Sequence, residues 1–157
     1  MIRVGLGFDT HQLCSGRDLI LGSVHIPHAV GCAGHSDADV LIHAVCDALL
    51  GAANLRDIGF HFPDTDPKYK NINSIVLLQE THKLIAENNW KIENIDTTIV
   101  LQKPKIQDYI PQMQVAIAQA LNLCEDCISI KAKTSEKLGF IGREEGISAY
   151  AVVLISK

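Results

Sequence analysis

The sequence predicts one α+β domain over residues 1–157, built on a mixed, four-stranded sheet with helices on one face and a short hairpin beside it. Three observations carry this. The chain opens on strict alternation and closes on an almost wholly apolar run, so strands stand at both ends. Between them, three segments combine helix-capping residues with helical apolar spacing. Strands and helices do not alternate one for one, which argues against a purely parallel βαβ array.

The elements follow in order. Ile2, Val4, Leu6 and Phe8 share one face of the first strand, and Arg3, Gly5, Gly7 and Asp9 share the other. That second face is nearly bare and leaves its backbone open to close approach. Short apolar runs at 19–21 and 24–26, with Gly22 and Pro27 nearby, predict a hairpin. A helix is expected from Ser36 to about Leu50, capped by Ser36 or Asp37 and ended at Gly51. Its apolar face is Val40, Leu41, Ala44, Val45, Ala48 and Leu49. Residues 54–73 carry Gly59, Pro63 and Pro67 and read as a long loop, a length that points to function. Ser74 caps a second helix reaching Asn89, residues 95–102 alternate as a strand, and Pro111 opens a third helix to Leu123. Strands at 128–133 and 147–155 complete the chain, the last one central.

Composition narrows the function. A formal net charge of −4 and 5% aromatic residues argue against a nucleic-acid binder. No run approaches the about eighteen apolar residues of a membrane span. Five cysteines without a framework spacing fit a reducing compartment. The opening MIRVGLG does not read as a signal peptide, so a bacterial cytoplasm is expected, or a plastid-type organelle where a transit peptide has been removed.

The chemistry starts at GFDTHQL, positions 7–13. Asp9 and His11 stand two apart, which puts both on one face of a strand. The helix that follows carries His35, Asp39, His43 and Asp47 at every fourth position. Such a stripe is either a solvated face or a source of ligands. Taken with Asp9 and His11, an imidazole from this helix completes the three-ligand, open-site pattern of catalytic zinc. Asp39 or Asp47 is then placed to accept a ring N–H and fix a tautomer.

Two further stretches stand out. In NLRDIGFHFPDTDP, 54–67, Asp57, Asp64 and Asp66 serve either turn chemistry or hydroxyl recognition. In KAKTSEKLGFIGREEG, 131–146, Lys131, Lys133, Lys137 and Arg143 surround Thr134, Ser135 and Glu136, which suits a phosphate and a hard divalent cation or is simply a charged, capped loop. LQKPKIQ, 101–107, adds Lys103 and Lys105 around Pro104 as a nucleotide-contacting loop. Gly5-Leu6-Gly7 lacks the third glycine of the dinucleotide fingerprint. Cys124 and Cys127 enclose two carboxylates, which oppose a thiolate.

Together these residues resemble the 2-C-methyl-D-erythritol 2,4-cyclodiphosphate synthase family of the non-mevalonate isoprenoid pathway. The resemblance covers the whole chain and rests on GFDTHQL, on GHSDADVLIHAVCDALLGAANLRDIGFHFPDTDP and on TSEKLGFIGREEG. It implies a homotrimer with active sites between neighbouring subunits. It implies closure of 4-diphosphocytidyl-2-C-methyl-D-erythritol 2-phosphate to the cyclodiphosphate, with loss of CMP. It implies zinc on Asp9, His11 and His43, and magnesium or manganese on Glu136. His35 and Ser36 would contact phosphate, and Asp57, Ile58 and Gly59 the methylerythritol, beside Phe62, Pro63, Asp64, Thr65 and Asp66.

By the same resemblance, Leu101, Gln102, Lys103, Pro104, Lys105, Ile106 and Gln107 would form the cytidine pocket with Lys133, Thr134, Ser135 and Glu136. His35 and Thr134 would stabilise the transition state. Phe140 and Arg143 would lie near the ligand or the central cavity, which would take an isoprenoid diphosphate. The bare face at Gly5 and Gly7 would then be room for the diphosphate. Lys133 departs from a common threonine, and Tyr150 from a glutamate that some members carry. Two other functions share these features: a zinc-dependent phosphohydrolase, and a non-catalytic trimer that binds nucleotides or isoprenoid diphosphates.

Overall fold

The computed structural model describes residues 1–157. Strand β1 (Ile2–Ser15) runs six residues past the alternating opening, because Asp9, His11 and Leu13 keep the period of two. It pairs antiparallel with β7 (Gly146–Ser156) from Ile2↔Ser156 to Gln12↔Gly146. Its far end pairs with the short β4 (Val30–Cys32). On the other side, β7 pairs antiparallel with β5 (Lys91–Val100), which pairs parallel with β6 (Ile128–Lys133). The order is β4-β1-β7-β5-β6, with the apolar β7 in the centre and β4 as a short fifth strand at one edge. The expected hairpin forms a separate ribbon of β2 (Leu19–Leu21) and β3 (Val24–Ile26).

Three helices cover one face: α1 (Val40–Ala52), α3 (Ser74–Glu87) and α4 (Ile110–Leu121). Of these α1 is buried almost all round, with Ile42, Cys46 and Leu50 as deep as its expected apolar stripe. It starts at Val40 rather than Ser36. Ala38 holds a left-handed φ of 57° that no helix can include, and Asp39 is the cap. The Asp39 carboxylate accepts from Ile42 N at 3.1 Å, Gly22 N at 3.0 Å and Ser23 N at 2.7 Å, so one buried group caps the helix and docks the hairpin. The stretch 54–73 is less of a loop than expected. It holds the one-turn helix α2 (Ile58–His61), capped by Asp57, and a turn at 67–69 capped by Asp66. One turn between α4 and β6 carries Cys124 and Cys127.

The bare face of β1 is not open. A Cβ on Gly7 would run into the Ala44 carbonyl oxygen and lie 2.7 Å from Ala48 N; one on Gly5 would lie 2.8 Å from the Ala52 Cβ. Glycine on the strand and alanine on the helix let α1 press its backbone against β1, so this face has no room for a diphosphate. The opposite face carries no helix. Ile2, Val4, Leu6 and Phe8 are 49–70% exposed, and Tyr150 and Val152 stand beside them on β7. Phe8 and Tyr150 rings pack 5.0 Å apart across the strand pair.

Candidate metal centre and substrate cavities

The close approach of α1 to β1 decides the site. Asp9 and His11 stand on the helix-facing side of β1, just beyond the glycines, and His43 stands in the first turn of α1. Asp9 Oδ2 lies 3.0 Å from His11 Nε2 and 3.0 Å from His43 Nδ1, and the two nitrogens are 3.2 Å apart. His11 Nδ1 lies 2.8 Å from the Ala33 carbonyl oxygen. A carbonyl only accepts, so Nδ1 carries the proton and Nε2 turns a lone pair inward. On the far side of His43, Nε2 lies 3.0 Å from Ser74 Oγ and 3.2 Å from Ser36 Oγ.

Asp9 Oδ2 and His11 Nε2 thus turn lone pairs toward one point, and His43 Nδ1 completes a triangle of possible ligand atoms about 3 Å on a side. Ligands around a tetrahedral zinc are about 3.3 Å apart, so this donor set fits such an ion. Burial pushes the Asp9 carboxyl up, but the His11 and His43 imidazoles outweigh it and hold the group well below the ordinary carboxylate range. Burial likewise lowers His11, and Asp9 outweighs it, leaving the imidazole raised above 6.5.

A cavity of about 250 Å³ opens on the triangle. Its walls include the expected His35, Ser36, Ile58, Gly59, Phe62 and Asp64, and also Tyr69, Ile72 and Leu77. Asp57 is exposed and does not line it; its Oδ1 accepts from Phe60 N at 2.9 Å, so it acts at least as the cap of α2. Pro63, Thr65 and Asp66 also lie outside these walls. Neither Asp39 nor Asp47 fixes a histidine tautomer, contrary to expectation. Both are committed to backbone: Asp39 to the three N–H groups above, Asp47 to Ile58 N at 2.7 Å. That last bond ties α2 to α1 one turn after His43.

Spacing alone missed Ser74, Asp37 and Arg17. Ser74 and Asp37 stood out only as capping residues. Arg17 lies in a loop without periodicity, yet its guanidinium donates to Cys32 O at 3.3 Å, Gly34 O at 3.2 Å and Ser36 O at 2.7 Å. It braces the segment that carries His35 and Ser36.

A second cavity, about 220 Å³, brings Leu101, Gln102, Pro104, Lys105, Ile106 and Gln107 together with Lys133 and Thr134. Its floor forms because β5 and β6 are parallel neighbours that end side by side, with Leu101 N donating to Lys133 O at 2.9 Å. Lys103 turns away, its Nζ 2.9 Å from Glu144 Oε1. Beyond β6, Thr134 Oγ1 donates to Glu136 Oε1 at 3.0 Å and Ser135 Oγ to Leu138 O at 2.8 Å, on a turn where Glu136 and Lys137 have positive φ. Arg143 pairs with Glu145 through two 3.0 Å bonds at the surface. Phe140 instead walls an open hollow beside Thr10, His11 and Gln12. The two main cavities share no residue. Strands β1 and β6 stand three steps apart in the sheet, about 14 Å at the usual strand spacing.

The chain is similar to known proteins along its whole length. It is 60% identical over 156 residues to 2-C-methyl-D-erythritol 2,4-cyclodiphosphate synthase of Phocaeicola vulgatus, covering 99% of this chain and 98% of that one. The CDP complex of IspF from Plasmodium falciparum superposes with a TM-score of 0.87 at 36% identity, covering 98% and 95% of the two chains. The bifunctional IspDF of Campylobacter jejuni superposes with a TM-score of 0.95 at 45% identity, over 99% of this chain and 42% of that longer one. With the YgbB family model matched across residues 2–156, this chain belongs to the YgbB family.

Proposed function

We propose that this protein is a cyclodiphosphate synthase, a phosphorus–oxygen lyase acting in the cytoplasm on the non-mevalonate route to isoprenoids. It closes 4-diphosphocytidyl-2-C-methyl-D-erythritol 2-phosphate to 2-C-methyl-D-erythritol 2,4-cyclodiphosphate and releases CMP. The observation that carries this is the triangle of ligand atoms from Asp9, His11 and His43 beside a cavity lined by His35, Ser36, Ile58 and Gly59. Relatives that bear the synthase name share the whole chain.

The nucleophile belongs to the substrate. Its 2-phosphate is already largely anionic near neutral pH, so no strong general base is needed. The task left to the protein is to gather several negative charges and to align one oxygen with the departing CMP. A zinc ion on Asp9, His11 and His43 supplies Lewis acidity toward phosphate oxygens when bound. His35 and Ser36 hold phosphate oxygens, on a segment kept in place by Arg17. Ile58 and Gly59 wall the methylerythritol end, with the Asp57 carboxylate beside it for the hydroxyls. Residues 101–107 with Lys133 and Thr134 receive the cytidine, and Glu136 offers a carboxylate for magnesium or manganese on the diphosphate.

Because the two cavities lie apart within one chain, a complete site joins the metal cavity of one subunit to the cytidine cavity of its neighbour. A homotrimer brings them together, packed through the uncovered apolar face of β1 and β7. The centre of such an assembly is apolar and suits an isoprenoid chain.

Phosphorus NMR on the reaction with the phosphorylated cytidyl substrate, zinc and magnesium tests the proposal. CMP and one cyclic diphosphate are expected in equal amounts. Inorganic phosphate or two open products mean a phosphohydrolase instead. Binding of CDP without turnover means a binding module.

A further inference from the structure

We propose that Asp37 and Ser74 form a relay that sets the tautomer of His43, so that Nδ1 is the atom presented to the metal. This rests on the reading of Asp9, His11 and His43 as a metal centre.

Ser74 is the first residue of α3 and is fully buried. Its backbone N–H donates to Asp37 Oδ2 at 3.0 Å, and its hydroxyl makes a short hydrogen bond to Asp37 Oδ1. A carboxylate can only accept, so the single hydroxyl hydrogen is spent on Asp37. What Ser74 Oγ turns toward His43 Nε2, 3.0 Å away, is a lone pair. Ser36 Oγ, 3.2 Å from the same nitrogen, accepts from Ala38 N at 3.1 Å and keeps its own hydrogen uncommitted, so it suits either tautomer. The nearer Ser74 oxygen, backed by the Asp37 charge, does not, and Nε2 answers it as the donor.

The opposite tautomer would set the Nε2 lone pair against the Ser74 lone pair inside a buried pocket and point a hydrogen into the metal site. Metal-bound histidines usually hand their outer N–H to a carboxylate, a carbonyl or water. Here a serine stands between ring and carboxylate, on a different helix. His11 is set the other way round: its outer Nδ1 donates to Ala33 O, and its Nε2 faces the site. The relay also crosses the junction where the segment before α3 closes on the segment before α1. There, Asp37 N donates to Ile72 O at 3.1 Å and Asn71 N to His35 O at 2.9 Å.

The test compares the full-length wild type with Ser74→Ala, Asp37→Asn and His43→Ala. Each is stripped of metal and titrated with zinc against a competing chelator. Ser74→Ala is expected to weaken zinc binding about 10- to 100-fold, and Asp37→Asn less, since Asn keeps the shape without the charge. Imidazole ¹⁵N spectra of the metal-free proteins, recorded where the rings are neutral, add a reading that a merely structural role would not move. Wild-type His43 should appear as the Nε2–H form, and Ser74→Ala as a mixture. Should Ser74→Ala fail to fold, the Asp37→Asn titration and the wild-type spectrum decide the question.

Unchanged zinc affinity and ring signals in the variants would overturn the relay, as would a wild-type His43 protonated at Nδ1. Equal zinc binding by wild type and His43→Ala would overturn instead the metal centre beneath it.

Discussion

At Asp9 one carboxylate oxygen faces two imidazole nitrogens at 3.0 Å each. His43→Ala removes one corner of this triangle, so tight zinc binding and nearly all turnover should vanish while the proposed trimer persists. A full equivalent of zinc in that variant, by metal analysis, would contradict the assignment. The triangle also ties metal to pH. The raised His11 pKa means that metal-free protein holds a proton there to above pH 6.5. Stability from that proton is fully present below the unfolded value and is lost as pH rises through the folded one. Metal-free protein should therefore lose thermal stability on passing alkaline of that value, and Asp9→Asn should flatten the curve. Zinc must displace the same proton, so its affinity should fall on acidification. Glu136 stands apart from this set, on the turn after β6. Glu136→Gln should blunt the response of the rate to magnesium more than it lowers zinc content, and an unchanged magnesium titration would remove Glu136 from that role.

Among the elements, the contact between α1 and β1 is the most demanding. The small residues Gly5, Gly7, Ala44 and Ala48 set its spacing, and that spacing brings His43 to Asp9 and His11. A methyl at Gly7 meets helix backbone, which cannot rotate aside. Gly7→Ala should cost about 3 kcal/mol, the upper range of overpacking, and disturb the metal site as the helix lifts. Urea unfolding checks this, and an unshifted midpoint would mean the interface is looser than its geometry. At the head of α1, Ala38 and Asp39 delay the start of the helix from the expected Ser36 to Val40. The freed segment 33–37 is then available to carry His35 and Ser36 over the cavity, braced by Arg17.

For the molecule as a whole, the uncovered face of β1 and β7 is the decisive feature. Ile2, Val4 and Leu6 are each about two-thirds exposed or more. If the proposed trimer packs through this face, Leu6→Asp should give monomers by sedimentation and abolish turnover while leaving the circular dichroism of the subunit intact, because Leu6 supports no core of its own chain. A trimer that survives the charge would place the interface elsewhere.

Much of the architecture could be read from residue order, since period-two and helical spacing report directly which face of an element is buried. Asp9 and His11 could be paired by their shared strand face, but spacing left His35 and His43 as alternatives for the third imidazole; the family resemblance pointed to His43, and packing brings it to the other two. Gly5 and Gly7 show the limit of such reading. A bare face means close approach, but the sequence does not name what approaches, and the occupant is α1 rather than a ligand. The partners of Asp39 and Asp47, and the Ser74–Asp37 support of His43, were likewise decided only in three dimensions. Hydrogen bonds between residues tens of positions apart leave no periodicity behind. Spacing along the chain told which side chains carry chemistry; packing alone determined which of them meet.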